Sequence, residues 1–293
     1  MPHTLQNEFL EIHLDLPGEG YHFSRFDWTG KIAHVQFQGI PVTVLEKQNE
    51  PHEELFGKGL YNEFGIEAPV GFDEAGVGEW FHKIGVGLLK KDGGAYAFHQ
   101  PYEIRPAQFD FLGNDQHVKI ICTSEESNGY AYILQKEIKV EGSSLIIGYE
   151  LQNVGEKAIQ TDEYVHNFFG IGGEWMGKDY VLFFPYELKE EKFGANVNPE
   201  QKVEIGKDDI RFNGTPSEPF FFSNLTGGES KRAVWVLKNH KNGIIIQEST
   251  DFPTDKINLW GTQHVISPEL FYKIDLKAGE TVRWIRKYDF EKL

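Results

Sequence analysis

A single cysteine, Cys122, is present among the 293 residues. One thiol excludes an internal disulfide and any multi-thiolate metal site. Standing in the apolar run Val118-Lys-Ile-Ile-Cys122, it reads as a small buried hydrophobe in a strand. No apolar stretch approaches the length needed to cross a bilayer. The first residues, Met1-Pro-His-Thr-Leu-Gln-Asn-Glu8, lack a basic region followed by an apolar one, so no signal peptide is expected. Basic residues are few: 29 Lys and Arg stand against 45 Asp and Glu, for a net charge of −16. That balance disfavours a nucleic-acid groove, an anionic membrane surface and a highly phosphorylated substrate. A reduced, cytoplasmic protein with no nucleic-acid or membrane partner is the expectation.

Cofactor and metal signatures are missing as well. There is no His-Glu-x-x-His run, no Cys/His spacing for zinc and no Gly-x-x-x-x-Gly-Lys-Ser/Thr loop. Gly85-Val-Gly87 is too short for a dinucleotide fingerprint, and no Gly-x-Ser-x-Gly elbow occurs. Asp162, Glu163 and His166 are too closely spaced on one strand to converge on a metal, because neighbours point to opposite faces. Neither a metal nor a cofactor is expected.

What the chain has is strands. Ile32–Phe37 and Pro41–Leu45 flank Gly39 in a hairpin-like arrangement. Val118–Thr123, Tyr130–Leu134, Ser144–Leu151, Arg232–Leu237, Gly243–Gln247, Lys256–Trp260 and Thr281–Arg286 continue the pattern. Asp92-Gly-Gly, Asn128-Gly, Asn213-Gly and Asn242-Gly punctuate it, since Gly and Asn accept positive φ at little cost. With 40% hydrophobic and 14% aromatic residues, a large core is assured. Helical pattern is confined to short turns near Asn49–Phe56 and Asn198–Gln201, and Leu188–Asp209 reads as a long surface loop. The fold class expected is all-β, one large antiparallel sandwich domain over residues 1–293.

Two candidates for proton transfer stand out. In Thr161-Asp-Glu-Tyr-Val-His-Asn-Phe-Phe-Gly170, strand alternation puts Tyr164, His166 and Phe168 on one face. The following Gly170-Ile-Gly-Gly173 lets backbone approach a ligand closely. Such a histidine is either a packed structural residue or a proton carrier beside aromatic sugar-stacking surfaces. Glu269, in Ile266-Ser-Pro-Glu-Leu-Phe-Tyr272, is either an exposed edge carboxylate or a desolvated one whose pKa is raised toward neutrality. His82 and Lys83, in Gly78-Glu-Trp-Phe-His-Lys-Ile-Gly-Val-Gly87, and His99 are candidate hydrogen-bond donors to hydroxyls. Ser24-Arg-Phe-Asp-Trp28 and Gly59-Leu-Tyr-Asn-Glu-Phe-Gly65 mix charge with aromatics in the same way.

Arg25-Phe-Asp-Trp28, Trp80–Gly87, Tyr164-Val-His-Asn-Phe-Phe169 and the late Pro268-Glu269 before Leu276-Lys-Ala-Gly-Glu280 resemble the aldose 1-epimerase (galactose mutarotase-like) family over about Tyr21–Phe290. The resemblance implies a galactose mutarotase-like supersandwich with a sugar cleft on one sheet. It implies acid–base ring opening of a free aldose, without metal or cofactor, and a monosaccharide as the partner. By motif, His166 is similar to the acid, held protonated, and Glu269 to the base, held ionised. Lys83 stands where the family has a ring-binding arginine, and His99 resembles its further substrate-binding histidine. Arg25, His82 and Trp260 complete the substrate-binding set, with Trp175 and Phe168 as further stacking surfaces. Thr262-Gln263, a pair that follows the glutamate in the family, is preceded here by Gly261, a register that supplies no base.

Three other functions stay open at this point. A hexose-phosphate mutarotase would use Arg25, Lys83 and Arg211 at one cleft edge. A sugar-binding protein would keep the fold without the acid–base pair. A glycoside hydrolase would need a second carboxylate facing the scissile bond.

Overall fold

The computed structural model describes residues 3–293. Among them the helical turns are three short 3-10 segments, Glu53–Leu55, Ile171–Gly173 and Glu190–Lys192. No helix among them is long and apolar enough to cross a membrane. Everything else regular is antiparallel strand, as expected. A ten-stranded sheet runs from Val203–Ile205 at one edge to Gln108–Gly113 at the other. A seven-stranded sheet carries Leu10–Asp15, Lys31–Phe37, Leu60–Phe64, Ile159–Asn167 and Tyr272–Leu276. A four-stranded sheet, which includes the hairpin Ile257–Thr262 and Val265–Leu270, joins it through the bridge Phe169–Ile266.

Side-chain alternation explains which faces meet. In Ser144–Asn153 every second residue is buried, so one face packs inward and the other meets solvent. Leu60–Phe64 and Val265–Leu270 are buried at every position. These strands are covered twice, by the sandwich core beneath and by loops above. Val265–Leu270 carries Glu269 of the candidate site, and the second half of Ile159–Asn167, buried from Glu163 to Asn167, carries His166.

Between the sheets lies a polar layer. Arg286 is fully buried and donates to Glu163 Oε2 at 2.7 Å and to Glu248 Oε1 at 2.8 Å. Lys136 donates to Asn62 Oδ1 at 2.6 Å and to Asp27 Oδ2 at 3.2 Å, and Asn62 donates to Glu163. Buried charges survive only when paired in this way. Cys122 is buried in its strand, and burial pushes its thiol pKa up.

Three expectations differ in detail. Only Ile40–Pro41 of the segment before Leu45 joins a ladder; Thr43 and Leu45 make isolated bridges to Phe169 and Lys58 as the chain crosses toward the site. Asn198–Gln201 is a turn, closed by Gln201 N–H to Asn198 O. Leu188–Asp209 is pinned by two short strands, Asn196–Val197 and Val203–Ile205. Strands of two or three residues are too short to leave an alternation signal.

Candidate active site

On the strand Ile159–Asn167, Tyr164 and His166 face away from the polar layer, and Phe168 continues the row. The imidazole stacks on the Phe168 ring at 4.1 Å and meets the edge of Trp260 at 5.3 Å. On the neighbouring strand, Ser267 and Glu269 face the same side, while Ile266, Pro268 and Leu270 are fully or almost fully buried in the core. The bridge Phe169–Ile266 and the pair Glu163–Tyr272 lie on one antiparallel register. On that register His166 stands directly opposite Glu269.

Glu269 Oε1 is 3.4 Å from His166 Nε2. Ser267 Oγ lies 2.8 Å from His166 Nδ1 and donates to Glu269 Oε1 at 3.3 Å. The hydroxyl has one proton to give. Giving it to Glu269 leaves Oγ to accept Nδ1–H, so Nε2 is the bare nitrogen that faces the carboxyl. Both side chains are almost closed off from solvent, each residue 4% exposed.

That burial inverts the charge assignment expected from sequence. Desolvation, aided by the nearby Arg25 guanidinium, pushes His166 well below the ordinary imidazole value. Desolvation raises Glu269 to about 8, opposed by Arg25 and reinforced by Glu63. At neutral pH the carboxyl holds the proton and the imidazole is neutral.

Arg25 forms the boundary of the pair. Its Nε donates to Glu63 Oε2 at 3.0 Å and its Nη1 to Glu46 Oε1 at 3.2 Å. Its guanidinium carbon sits 4.5 Å from the ring centres of both Phe26 and Phe98. Glu63 also accepts from Lys83 at 3.1 Å and from Tyr164 OH at 2.7 Å. Burial alone would raise Glu63, but Lys83 and Arg25 hold it below the ordinary carboxylate value. Outside Arg25 opens a cavity of about 460 Å³, walled by Tyr21, Phe23, Phe26, Phe56 and Phe98, with Glu46, Lys47, His99 and Gln100 as its polar groups.

Glycine placement fits this arrangement. A Cβ on Gly57 would meet the Phe168 ring at 2.5 Å, so only glycine lets that loop lie over the site face. Gly170 packs on His264 O and Val44 in the same way, so this glycine of the run after His166 serves internal packing.

The structure gathers His166, Glu269, Arg25, Trp260 and Lys83 into one connected group. Lys83 is buried and spent on Glu63, Gly65 O and Tyr96 OH, so its ammonium is not free for a sugar. His99 is exposed on the cavity rim. His82 is not in the group. Adjacent to Lys83 on a strand, it points the other way, against Tyr130 and Tyr132, with neither ring nitrogen hydrogen-bonded. Trp175 is 61% exposed and does not line the cavity. Arg211 pairs with Asp209 on the ten-stranded sheet. Thr262 closes the strand Ile257–Thr262 and Gln263 lies in the turn that follows. Glu63 lies in the charged, aromatic segment Gly59–Gly65 noted in the sequence, whereas Ser267 and Glu46 were not singled out. Ser267 had a signal, since it lies two residues before Glu269 and so shares its face.

Comparison with known proteins agrees with this architecture. No protein-family model matches the sequence, and no curated protein does. Among solved structures, a candidate aldose 1-epimerase from Escherichia coli superposes with a TM-score of 0.64 at 10% identity, over 100% of this chain and 99% of that one. A galactose mutarotase related enzyme from Lactobacillus acidophilus gives 0.61 at 9% identity, over 100% and 98%. The fold is galactose mutarotase-like. An aldose epimerase homologue from C. elegans gives 0.55 at 12% identity, over 100% and 99%. Identities this low carry the fold and leave the chemistry to the side chains.

Proposed function

We propose that the protein is an aldose 1-epimerase that interconverts the α and β anomers of a free aldose through the His166–Glu269 pair. The observation that carries this reading is the 3.4 Å approach of Nε2 to Oε1, on a face of the galactose mutarotase-like fold next to an aromatic cavity. Anomer exchange needs one group to protonate the ring oxygen and another to take the anomeric hydroxyl proton. The ring opens to the aldehyde, the C1–C2 bond rotates, and closure on the other face gives the second anomer.

The pair holds one proton, and that suffices. As the ligand-free charges stand, the Glu269 carboxyl is the donor and the bare His166 Nε2 the acceptor. Transfer of that proton to Nε2 gives the reverse assignment, the one implied by the family resemblance. Each group contributes roughly two to four orders of magnitude by general catalysis. In this reading the sugar fills the cavity over Arg25 and reaches the pair when Arg25 leaves its place between Phe26 and Phe98.

A neutral sugar fits better than a hexose phosphate. Arg25 and Lys83 are neutralised by Glu63 and Glu46, and Arg211 is elsewhere. The near-complete closure of His166 and Glu269 favours one second reading, a sugar-binding protein whose carboxyl–imidazole pair is a structural lock. NMR saturation transfer between the anomeric protons of glucose, galactose and other aldoses separates the two. Enzyme-dependent transfer for at least one sugar supports the epimerase; line broadening without transfer supports the binding protein.

A further inference from the structure

His166 and Glu269 face each other across a ladder that is open. Backbone pairing joins their strands at Phe169–Ile266 and again from Glu163–Tyr272 onward, with no backbone pairing at the residues between. Pro268 has no N–H to give, so it can donate no ladder bond to the His166 strand. The carbonyls on either side of Glu269 therefore need other partners.

Two side chains of the buried polar layer supply them. Asn167 Nδ2 donates to Pro268 O at 2.6 Å and to Glu248 Oε2 at 3.1 Å, while its Oδ1 accepts from Tyr288 OH at 3.0 Å. Arg286 Nη2 donates to Leu270 O at 2.9 Å and also grips Glu163, three residues before His166. Asn167 and Arg286 are both 0% exposed, and the hydrogen bonds of their side chains go to neither the His166 imidazole nor the Glu269 carboxyl.

We propose that Asn167 and Arg286 are positioning residues, which staple the Glu269 strand to the His166 strand by its flanking carbonyls and so set the distance between carboxyl and imidazole. The backbone ladder alone would leave the two strands free to part at the point where the proton moves. This inference rests on the acid–base reading of the pair. A loss of registration of about an ångström at a reacting centre is enough to cost 100-fold in rate.

The test uses Asn167→Leu, which removes the staple, and Asn167→Ser, a milder change that no longer reaches Pro268 O. Leu134→Ala, in the core of the ten-stranded sheet, controls for lost stability. Two readouts are taken on each folded variant: kcat and KM for anomer exchange, and the ¹⁵N shifts of the His166 imidazole against pH. The expected result is a roughly 100-fold fall in kcat with KM changed less than about threefold for Asn167→Leu, and a smaller fall for Asn167→Ser. The His166 pKa is expected to rise toward its ordinary value in both, with neither effect in Leu134→Ala. Unchanged kcat and unchanged imidazole shifts in folded Asn167→Leu overturn the proposal. If the parent has no epimerase activity, the function reading fails on its own, and the imidazole shifts still decide whether Asn167 holds the pair.

Discussion

Ser267 Oγ touches both members of the pair, His166 Nδ1 at 2.8 Å and Glu269 Oε1 at 3.3 Å, and so fixes which imidazole nitrogen meets the carboxyl. One hydroxyl sets the tautomer. Ser267→Ala removes that choice without disturbing the strand. Steady-state anomer exchange is expected to fall about 10-fold in kcat, with sugar affinity retained, since an orienting group contributes less than the proton carriers themselves. Unchanged kcat would mean that the tautomer is set by packing alone.

Glu269 leaves a signature in stability against pH. Its folded pKa is raised to about 8 by burial, so the folded chain holds a proton that the unfolded chain has already released. Stability from this group is fully present below its unfolded value and is lost as pH rises through about 8, by up to about 1.4 kcal/mol per pH unit. Glu269→Gln keeps the shape and is always neutral. Urea unfolding at pH 6 and pH 9 is expected to show the variant gaining on the parent at the higher pH. Parallel curves would place the carboxylate in solvent.

His82 acts with the opposite sign. Burial between Tyr130 and Tyr132 lowers it to about 4. Its contribution is present above the unfolded value near 6.5 and is lost as pH falls toward 4, amounting to about 3 kcal/mol at the end of that window. His82→Phe is expected to flatten the acid limb of a thermal-melt series while anomer exchange stays at the parental rate. A large rise in KM would put His82 back among the sugar contacts.

Arg25→Ala removes the cation shared by Glu63 and Glu46. Partial exposure of the arginine side chain, 14%, sets the cost toward the lower end of the roughly 3–5 kcal/mol for a broken buried pair. Denaturation midpoints read that loss. Calorimetric titration with sugar is expected to show weakened binding as well, because Arg25 forms the cavity floor.

The strand inventory was legible because antiparallel strands with one wet face alternate clearly, and turn pairs such as Asn128-Gly129, both at positive φ, mark their ends. His166 and its face could be read from the same period of two. Glu269 could not be placed by spacing, since its partner strand is a hundred residues away and only the bridge Phe169–Ile266 fixes the register. Lys83 and His82 show the limit of local reading. Both stand in an aromatic, glycine-rich run that suits sugar contact, yet one is consumed by Glu63 and the other turns into the core. The reversal of charge on the pair was out of reach, because it depends on loops that close over the site from residues 21–26, 46–57 and 98–101.

The most direct measurement is the rate of anomer exchange by polarimetry, started from pure α-glucose, α-galactose and further aldoses, for the parent, His166→Ala, Glu269→Gln and the double variant that combines them. The account predicts acceleration by the parent for at least one sugar, and a loss of roughly 10²- to 10⁴-fold in each variant, with the double variant little worse than either single one. Acceleration that survives in both variants, or a folded parent that accelerates no aldose, would contradict it.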